Sequence, residues 1–303
     1  MDLSVIILNY NSADYLKKCL ESIINSDIGN YQYEVIVIDN CSPDNSIEIA
    51  KSVKSSNIKY LELKNNLGFA HGNNQGLNEI NSKTRFVLFL NPDTIVQKDS
   101  FKNMIKFFDQ NEKVDAATCQ INLALTGEMQ PECHRGFPTP WNSLCHFSGL
   151  SKLFPHSKIF SGYFLGYLDK TIPHQIDACV GAFLMVKKRV GDKVKWWNEK
   201  YFFYGEDLDF CYQLKKQHFN LFFNPNCKIT HFQGVSSGLI SKSKHLSKAS
   251  RETKIKVAKA STNAMRIFYQ ENLFSNYSAP VRFLVMTGIK MLEFQRVFKA
   301  KYL

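Results

Sequence analysis

Short apolar runs, each followed by a polar cluster, recur through the first third of the chain. The runs at 5–8, 34–39, 58–63 and 85–90 predict buried strands, since they are rich in aliphatic and aromatic residues and too short for helices. Helices are predicted at 15–23, from about Ser46, and within 65–76, from apolar spacing and capping clusters. This alternation is typical of a doubly wound α/β sheet.

The pattern loosens from about Ala116 to Asp177, where Pro, His and aromatic residues replace regular alternation. We interpret the stretch at about 118–176 as an insertion that faces the acceptor substrate. Beyond it, 178–186 and 220–229 are predicted as strands, and 202–214 as a loop that enters a helix.

Polar residues follow the predicted strands at the point where each strand ends. Asn9 follows the first run, Asp39 ends the second, Asp93 lies three residues after the run at 85–90, and Gly68 lies in the Gly/Asn-rich segment after the third run. Ligands of open α/β sheets bind at the carboxyl ends of the strands. The sequence therefore predicts one site where these clusters meet.

Charge separates the chain into two predicted parts. The 303 residues carry a formal net charge of +11, and residues 241–303 hold 13 basic residues against three acids, 13 − 3 = +10. We therefore predict a body at 1–240 and a basic, amphipathic, helical tail at 241–303. Such a tail suits either nucleic acid phosphates or an anionic membrane surface.

The membrane surface is the partner we favour for the tail. Residues 281–294 are mostly apolar but include Arg282 and Lys290, which suits an interfacial helix and is too short to span a bilayer. A tail-mediated homodimer is the alternative. The start of the chain lacks the features of a signal peptide, and its eight cysteines contain no CxxC pair. We expect a cytoplasmic protein at the inner face of the cell membrane.

Several acids and one histidine are candidates for chemistry. A carboxylate displayed at the sheet edge by Asp93 suits Mg²⁺ or Mn²⁺, and His231 is a candidate second ligand. Three acids lie within one turn of the helix predicted to start near residue 206, directly after aromatic residues. Aromatic surroundings and neighbouring carboxylates can raise the pKa of a carboxyl group so that it acts as a general base. Acids at the start of a helix also stabilise the helix dipole, which is the alternative explanation.

Two other classes of protein fit the residues poorly. A nicotinamide-dependent oxidoreductase would need glycines after the first strand, but residues 8–12 contain none. The pairs Cys133-His134 and Cys145-His146 lack a recognised zinc-ligand spacing. A non-catalytic nucleic-acid-binding protein would be supported by the basic tail alone.

Five motifs occur in order at 5–11, 37–46, 66–76, 89–93 and 203–211. Together they resemble family 2 glycosyltransferases of the GT-A fold, especially the rhamnosyltransferase-like branch, over about residues 3–235. The resemblance implies a Rossmann-like nucleotide-sugar-binding domain with a mixed central sheet.

By position, the resemblance also implies roles for individual residues. The nucleoside would be held by the residues that end the first two strands, namely Asn9, Tyr10, Asn11 and Asp39. The diphosphate or sugar pocket would be lined by Gly68 and Asn74, with Gly181 and Ala182 near the sugar and the acceptor.

The segment Asn91-Pro92-Asp93 stands where the family has its DxD motif, so Asp93 would bind the metal ion and Asn91 would replace the first acid. His231 matches a metal-ligand histidine. Asp207, the second acid of the pair Glu206-Asp207, matches the catalytic base, and Glu206 is expected beside it as the other catalytic residue.

These roles imply an inverting transfer of a sugar to a saccharide or polyprenol-linked saccharide during cell-surface polysaccharide synthesis. The branch favours dTDP-rhamnose as donor, with a UDP-hexose or UDP-galactofuranose as the alternative. A divalent cation would stabilise the departing diphosphate, while Asp207 would deprotonate the acceptor. No nucleic acid partner is expected.

Overall fold

The computed structural model describes residues 1–232 and 251–302. The strands that it contains are β1 (Leu3–Asn9), β2 (Tyr33–Asp39), β3 (Ile58–Glu62), β4 (Phe86–Leu90), β5 (Thr94–Val96), β6 (Ala116–Leu123), β7 (His174–Ile176), β8 (Phe183–Lys187) and β9 (Leu221–His231). The α-helices are α1 (Leu16–Ile24), α2 (Ser46–Lys51), α3 (Phe69–Leu77), α4 (Ser100–Gln110), α5 (Pro140–Phe147), α6 (Leu150–Leu153), α7 (Lys188–Val194), α8 (Glu206–Lys216), α9 (Arg251–Phe268) and α10 (Ala279–Tyr302).

All of these strands join one mixed sheet. Its order is β3-β2-β1-β4-β8-β6-β9-β5, and β7 adds to β9. The first four strands run parallel, β8 is antiparallel to both β4 and β6, and β9 is parallel to β6. The predicted α/β class with a mixed central sheet is confirmed.

The helix α3 lies unusually close to the sheet because it presents glycines to it. A Cβ atom at Gly76 would lie 2.7 Å from Ile38 Cδ1 and 2.9 Å from Ile6 Cγ2. No side chain can be added at such distances unless the Ile38 and Ile6 side chains shift. This close approach brings the start of α3, just after Gly68, to the carboxyl ends of β1 and β2.

The strand β6 lies in the stretch where the sequence pattern loosens. It begins at Ala116 and runs beside β9 from Ala116↔Leu221 to Leu123↔His231, with a shift in register between Cys119 and Gln120. The short strand β5 pairs with the end of β9, from Thr94↔His231 to Val96↔Ile229. These two strands carry residues 91–96 and 120–130 to the place where β9 ends.

The helical tail packs on the body through the end of α9 and the π-helical turn that follows it. Phe268 contacts Phe137 and Tyr212, and Asn272 Nδ2 donates to Asp209 Oδ1 (2.7 Å). The predicted boundary at 240/241 lies outside the described residues. Within 1–232 and 251–302, no helix combines the length and the apolar character needed to cross a bilayer.

Candidate active site

A buried hydrogen-bond network joins the ends of β1 and β2. Asn9 is fully buried, and its Nδ2 donates to Asp39 Oδ1 (2.6 Å), Ser46 Oγ (2.7 Å) and Ser42 Oγ (3.1 Å). The other Asp39 oxygen accepts from the Ser42 backbone N–H (3.0 Å), and Ser12 Oγ donates to Asn9 Oδ1. Asn9 thus fixes the orientation of the Asp39 carboxylate.

Tyr10 and Asn11 extend from this network toward solvent. The Tyr10 side chain is exposed, and Asn11 adopts a left-handed backbone with φ 56°. The Asn11 N–H donates to Ser42 Oγ (3.1 Å). The residues predicted at the end of β1 therefore differ in burial. Asn9 is buried and orders the ends of β1 and β2, whereas Tyr10 and Asn11 are accessible to a ligand.

The start of α3 is tied to the loop at 197–202. Gly68 has φ 98°, and a Cβ atom there would lie 2.5 Å from the Phe202 carbonyl oxygen, so the close approach requires glycine. Asn74 Nδ2 donates to the Trp197 carbonyl (3.0 Å) and to Glu199 Oε1 (2.8 Å). The Asn74 side chain thus connects α3 to this loop.

The turn after β4 meets the end of β9 through a carboxylate and an imidazole. Asp93 Oδ1 lies 3.1 Å from His231 Nε2, and His231 Nδ1 lies 2.8 Å from Gln130 Oε1. Asn91 Nδ2 lies 3.5 Å from the same His231 Nε2. Both ring nitrogens of His231 therefore face an acceptor oxygen, Gln130 Oε1 at Nδ1 and Asp93 Oδ1 at Nε2.

Either a proton on Nε2 or a bound cation can lie between His231 Nε2 and Asp93 Oδ1. Burial alone raises the pKa of Asp93, but the His231 ring outweighs burial and the net shift is downward. One imidazole nitrogen and one carboxylate oxygen 3.1 Å apart are a suitable partial ligand set for Mn²⁺ or Mg²⁺. The described residues contain no group of three or more metal-binding side chains, so the remaining ligands would come from a donor diphosphate and water.

A second carboxylate lies at the start of α8. Asp207 Oδ2 is 3.3 Å from Arg135 Nη2, and both side chains are largely buried. The Cβ position of Gly181 is 3.8 Å from Asp207 Cβ and 3.7 Å from the Phe69 ring, so this small residue leaves space beside the carboxylate.

The other two acids of this turn have separate environments. Glu206 is buried; desolvation, followed by the charge of Asp207, raises the pKa of Glu206 to about 8. Glu206 is therefore mainly a neutral carboxylic acid at pH 7. Asp209 is also buried, but it faces Asn272, Tyr201 and Asn198 and belongs to the junction with the tail.

Backbone contacts between β4 and β8 bring the two candidate centres to one edge. The Asn91 N–H donates to the Ala182 carbonyl (3.1 Å), which continues the antiparallel pairing that ends at Leu90↔Phe183. A Cβ atom at Gly181, the neighbour of Ala182, would lie 3.8 Å from Asp207 Cβ. Asp207 thus lies beside Gly181, and the turn that carries Asp93 begins beside Ala182.

Two polar residues of this edge are absent from the sequence-based set, namely Gln130 and Arg135. Both lie in the Pro- and His-rich stretch, and both retain a buried nitrogen with no hydrogen-bond partner among the described residues, Gln130 Nε2 and Arg135 Nε. No local periodicity distinguishes them. The Met-Gln-Pro and His-Arg-Gly contexts gave no motif that identifies them.

Comparison with known proteins identifies the family. The family model described as Glycosyl transferase family 2 matches residues 4–173, more than half of the chain. The chain belongs to this family, as the motifs predicted.

Two curated relatives extend over most of the chain. Agl10 of Haloferax volcanii, a low-salt glycan biosynthesis hexosyltransferase, is 28% identical over 224 residues, which cover 73% of this chain and 64% of Agl10. The rhamnosyltransferase WbbL of Escherichia coli K12 is 27% identical over 235 residues, which cover 75% of this chain and 82% of WbbL. The chain thus spans less than two thirds of Agl10.

A solved structure shares the fold. The crystal structure of GalNAc-T7 with UDP, GalNAc and Mn²⁺ has a TM-score of 0.58 and 16% sequence identity, over 76% of this chain and 44% of GalNAc-T7. The predicted GT-A fold is confirmed by this similarity.

Proposed function

We propose that the protein is an inverting glycosyltransferase that moves a sugar from a nucleotide-sugar to a saccharide acceptor. The observation that carries the proposal is the placement of the Asp93–His231 pair and the Asp207 carboxylate around Ala182 and Gly181. A diphosphate-binding centre and a general base are the two parts that a single displacement requires.

The donor would lie along the carboxyl ends of β1, β2 and β4. Asp39, held by Asn9, would accept hydrogen bonds from the nucleoside, and Tyr10 and Asn11 would cover it. Gly68, packed against the Phe202 carbonyl, would line the diphosphate pocket where α3 starts. Asp93 and His231 would hold a Mn²⁺ or Mg²⁺ ion, which would stabilise the negative charge of the departing nucleoside diphosphate.

Asp207 would act on the acceptor. Its carboxylate takes the proton of the acceptor hydroxyl while the oxygen forms a bond to the anomeric carbon and the bond from that carbon to the diphosphate breaks. Arg135 would orient the carboxylate through the 3.3 Å ion pair. Attack from the face opposite the leaving group inverts the anomeric centre.

Glu206 would support the base without sharing its role. A neutral acid beside Asp207 adds no second negative charge where the proton is taken. Gly181 and Ala182 would leave space for the sugar between the two centres.

The favoured donor is dTDP-rhamnose. The similarity to WbbL, over three quarters of the chain, supports it, whereas the similarity to the hexosyltransferase Agl10 supports a UDP-hexose or UDP-galactofuranose instead. A saccharide or polyprenol-linked saccharide of cell-surface polysaccharide is the acceptor that we propose. The basic tail would hold the enzyme at the inner face of the membrane that carries such an acceptor.

A thermal-shift panel of nucleotide-sugars, with and without Mn²⁺, tests the donor assignment. A ligand that binds only the folded state stabilises it by about 2.7 kcal/mol at a 100-fold excess over its Kd. We expect dTDP-rhamnose with Mn²⁺ to give the largest shift. A larger shift with a UDP-sugar would transfer the assignment to that donor, and no shift with any nucleotide-sugar would refute the proposal.

A further inference from the structure

The outward face of α10 combines apolar and basic residues and contains no acid. Its inner face packs on the protein through Val285, Met286 and Ile289. The exposed positions include Lys290, Lys299 and Lys301, whereas the one acid of this helix, Glu293, is partly buried. The large apolar side chains of this face are Phe283, Leu284, Met291, Phe294 and Phe298, which are 49–75% exposed.

A second exposed apolar surface lies on α5, α6 and the loop after them. Thr139 caps α5, Gly149 in the left-handed region turns the chain into α6, and the Trp141 indole N–H donates to the Ile159 carbonyl (2.8 Å). Residues 133–168 contain no Asp or Glu. The apolar side chains of this surface are Trp141, Leu144, Phe147, Leu153, Phe154 and Ile159, which are 48–72% exposed.

Tyr163 and Phe137 connect the two surfaces to Arg135 and Asp207. The Tyr163 ring stacks on His146 of α5 at 4.4 Å. Phe137, two residues after Arg135, contacts Phe268 of α9, and Arg296 Nη1 of α10 donates to Ser261 Oγ of α9 (2.9 Å). The Tyr163 carbonyl accepts from the Gly136 N–H (3.1 Å), next to Arg135, the partner of Asp207. Both apolar surfaces therefore lie near the residues that would receive the acceptor.

We infer that α10 and the α5–α6 segment form one docking surface for an anionic bilayer. The partner is a lipid headgroup layer because both patches lack exposed acids and carry lysines, and amphipathic faces of this composition bind at the headgroup boundary. A symmetric contact with a second copy would bring together two faces that each carry Lys290, Lys299 and Lys301 and no exposed acid. This surface would bring the proposed enzyme to a lipid-linked acceptor. Only that purpose, and not the binding to lipid, rests on the proposed function.

Co-sedimentation of the full chain with vesicles tests this surface. The vesicles are phosphatidylcholine alone, or phosphatidylcholine and phosphatidylglycerol at roughly 3:1, which supplies the anionic charge. We expect the unmodified chain to bind the anionic vesicles. Each of the changes Lys290→Gln and Lys299→Gln should weaken this binding about five-fold. The double variant Leu153→Ser/Phe154→Ser should weaken binding about ten-fold.

Matched variants outside both patches separate this effect from general changes. Leu125→Ser removes another exposed apolar side chain, and Lys106→Gln removes an exposed lysine of α4, so both should bind as the unmodified chain does. Equal binding to neutral vesicles, or unchanged binding by Leu153→Ser/Phe154→Ser, would overturn the two-part anionic docking surface. So would a dimer in sedimentation velocity that the same variants dissociate.

Thermal shifts with nucleotide-sugars in the same variants separate the surface from the activity. Vesicle binding without any nucleotide-sugar binding would support the docking surface and refute the proposed glycosyltransferase function. Nucleotide-sugar binding without vesicle binding would refute the surface alone.

Discussion

The donor corner at the ends of β1 and β2 and the catalytic edge around Asp207 differ in how their buried ionisable side chains are paired. At the donor corner, the buried side-chain atom that lacks a partner among the described residues belongs to an uncharged amide, Asn40 Oδ1. At the ends of β1 and β2, the Asn9 amide and the Asp39 carboxylate satisfy each other and three serines. At the catalytic edge, Arg135 Nε and Glu206 Oε2 are buried and have no hydrogen-bond partner within 1–232 and 251–302.

This difference separates a preformed binding corner from a site that retains unpaired ionisable groups. Buried polar groups in proteins are nearly always paired, and exceptions concentrate at functional sites. A polar substitution at the donor corner should therefore cost stability, whereas one at the catalytic edge should cost activity and little stability.

The change Asp207→Asn should have the largest effect on activity, and this effect should fall on turnover and not on donor affinity. Loss of a general base lowers kcat by about 10²–10⁴. Affinity for the nucleotide-sugar should stay nearly the same because the donor lies at the other centre. Steady-state kinetics and calorimetric titration measure the two quantities. The exposed Asp192→Asn serves as control, and turnover unchanged by Asp207→Asn would remove this residue from the mechanism.

The change Asn9→Ala should show the opposite behaviour. It removes the donor of three hydrogen bonds from a buried position, which costs about 3 kcal/mol of unfolding free energy for the groups left unpaired. Urea denaturation measures this loss. Asn111→Ala, at an exposed position, should change stability by less than about 0.5 kcal/mol. Equal stability of the two variants would contradict the distinction between the regions.

Gln130→Met should weaken the response to metal without affecting the base. Residues that orient a ligating histidine typically contribute about 10–100-fold to metal affinity. The Mn²⁺ concentration for half-maximal activity should rise by that factor, while the pH profile of kcat stays the same. Gln120→Met, on β6, is the matched control, and an unchanged Mn²⁺ requirement in the Gln130 variant would exclude the orienting role.

Glu206→Gln should stabilise the protein in neutral and mildly alkaline solution. The folded-state pKa of about 8 lies above the usual 4.5, so between these values the folded state holds a proton that the unfolded state has lost. Stability then falls as the pH rises through this window, by at most about 1.4 kcal/mol per pH unit, and the amide removes that slope. Melting curves from pH 5 to pH 8 are compared with those of Glu21→Gln, an exposed control; parallel slopes in the wild type and the Glu206 variant would refute the raised pKa.

The sequence predicts the parallel half of the sheet well because each strand there is a continuous apolar run. It misses β6, where Thr118, Gln120 and Asn122 alternate with apolar residues inside an irregular stretch. It also misses β5, which has three residues and depends on pairing with β9. Strand-end position is enough to predict Asp39 and Asp93.

The residues that orient the site residues are harder to predict from the sequence. Gln130 and Arg135 reach the site through pairings with residues that are 101 and 72 positions away. The role of Asn9 in ordering Asp39, rather than lying open to solvent, depends on burial that only the assembled sheet provides. The separation of Asp209 from Asp207 depends on the docked tail.

The central claim is that Asp93 and His231 hold a cation on the donor diphosphate beside Asp207. Calorimetric titration of the nucleoside diphosphate, with and without Mn²⁺, tests it most directly in the wild type and in Asp93→Asn. The account predicts that Mn²⁺ tightens binding in the wild type and has no such effect in Asp93→Asn, while Asp207→Asn responds as the wild type does. Retention of the full Mn²⁺ effect in Asp93→Asn would contradict it.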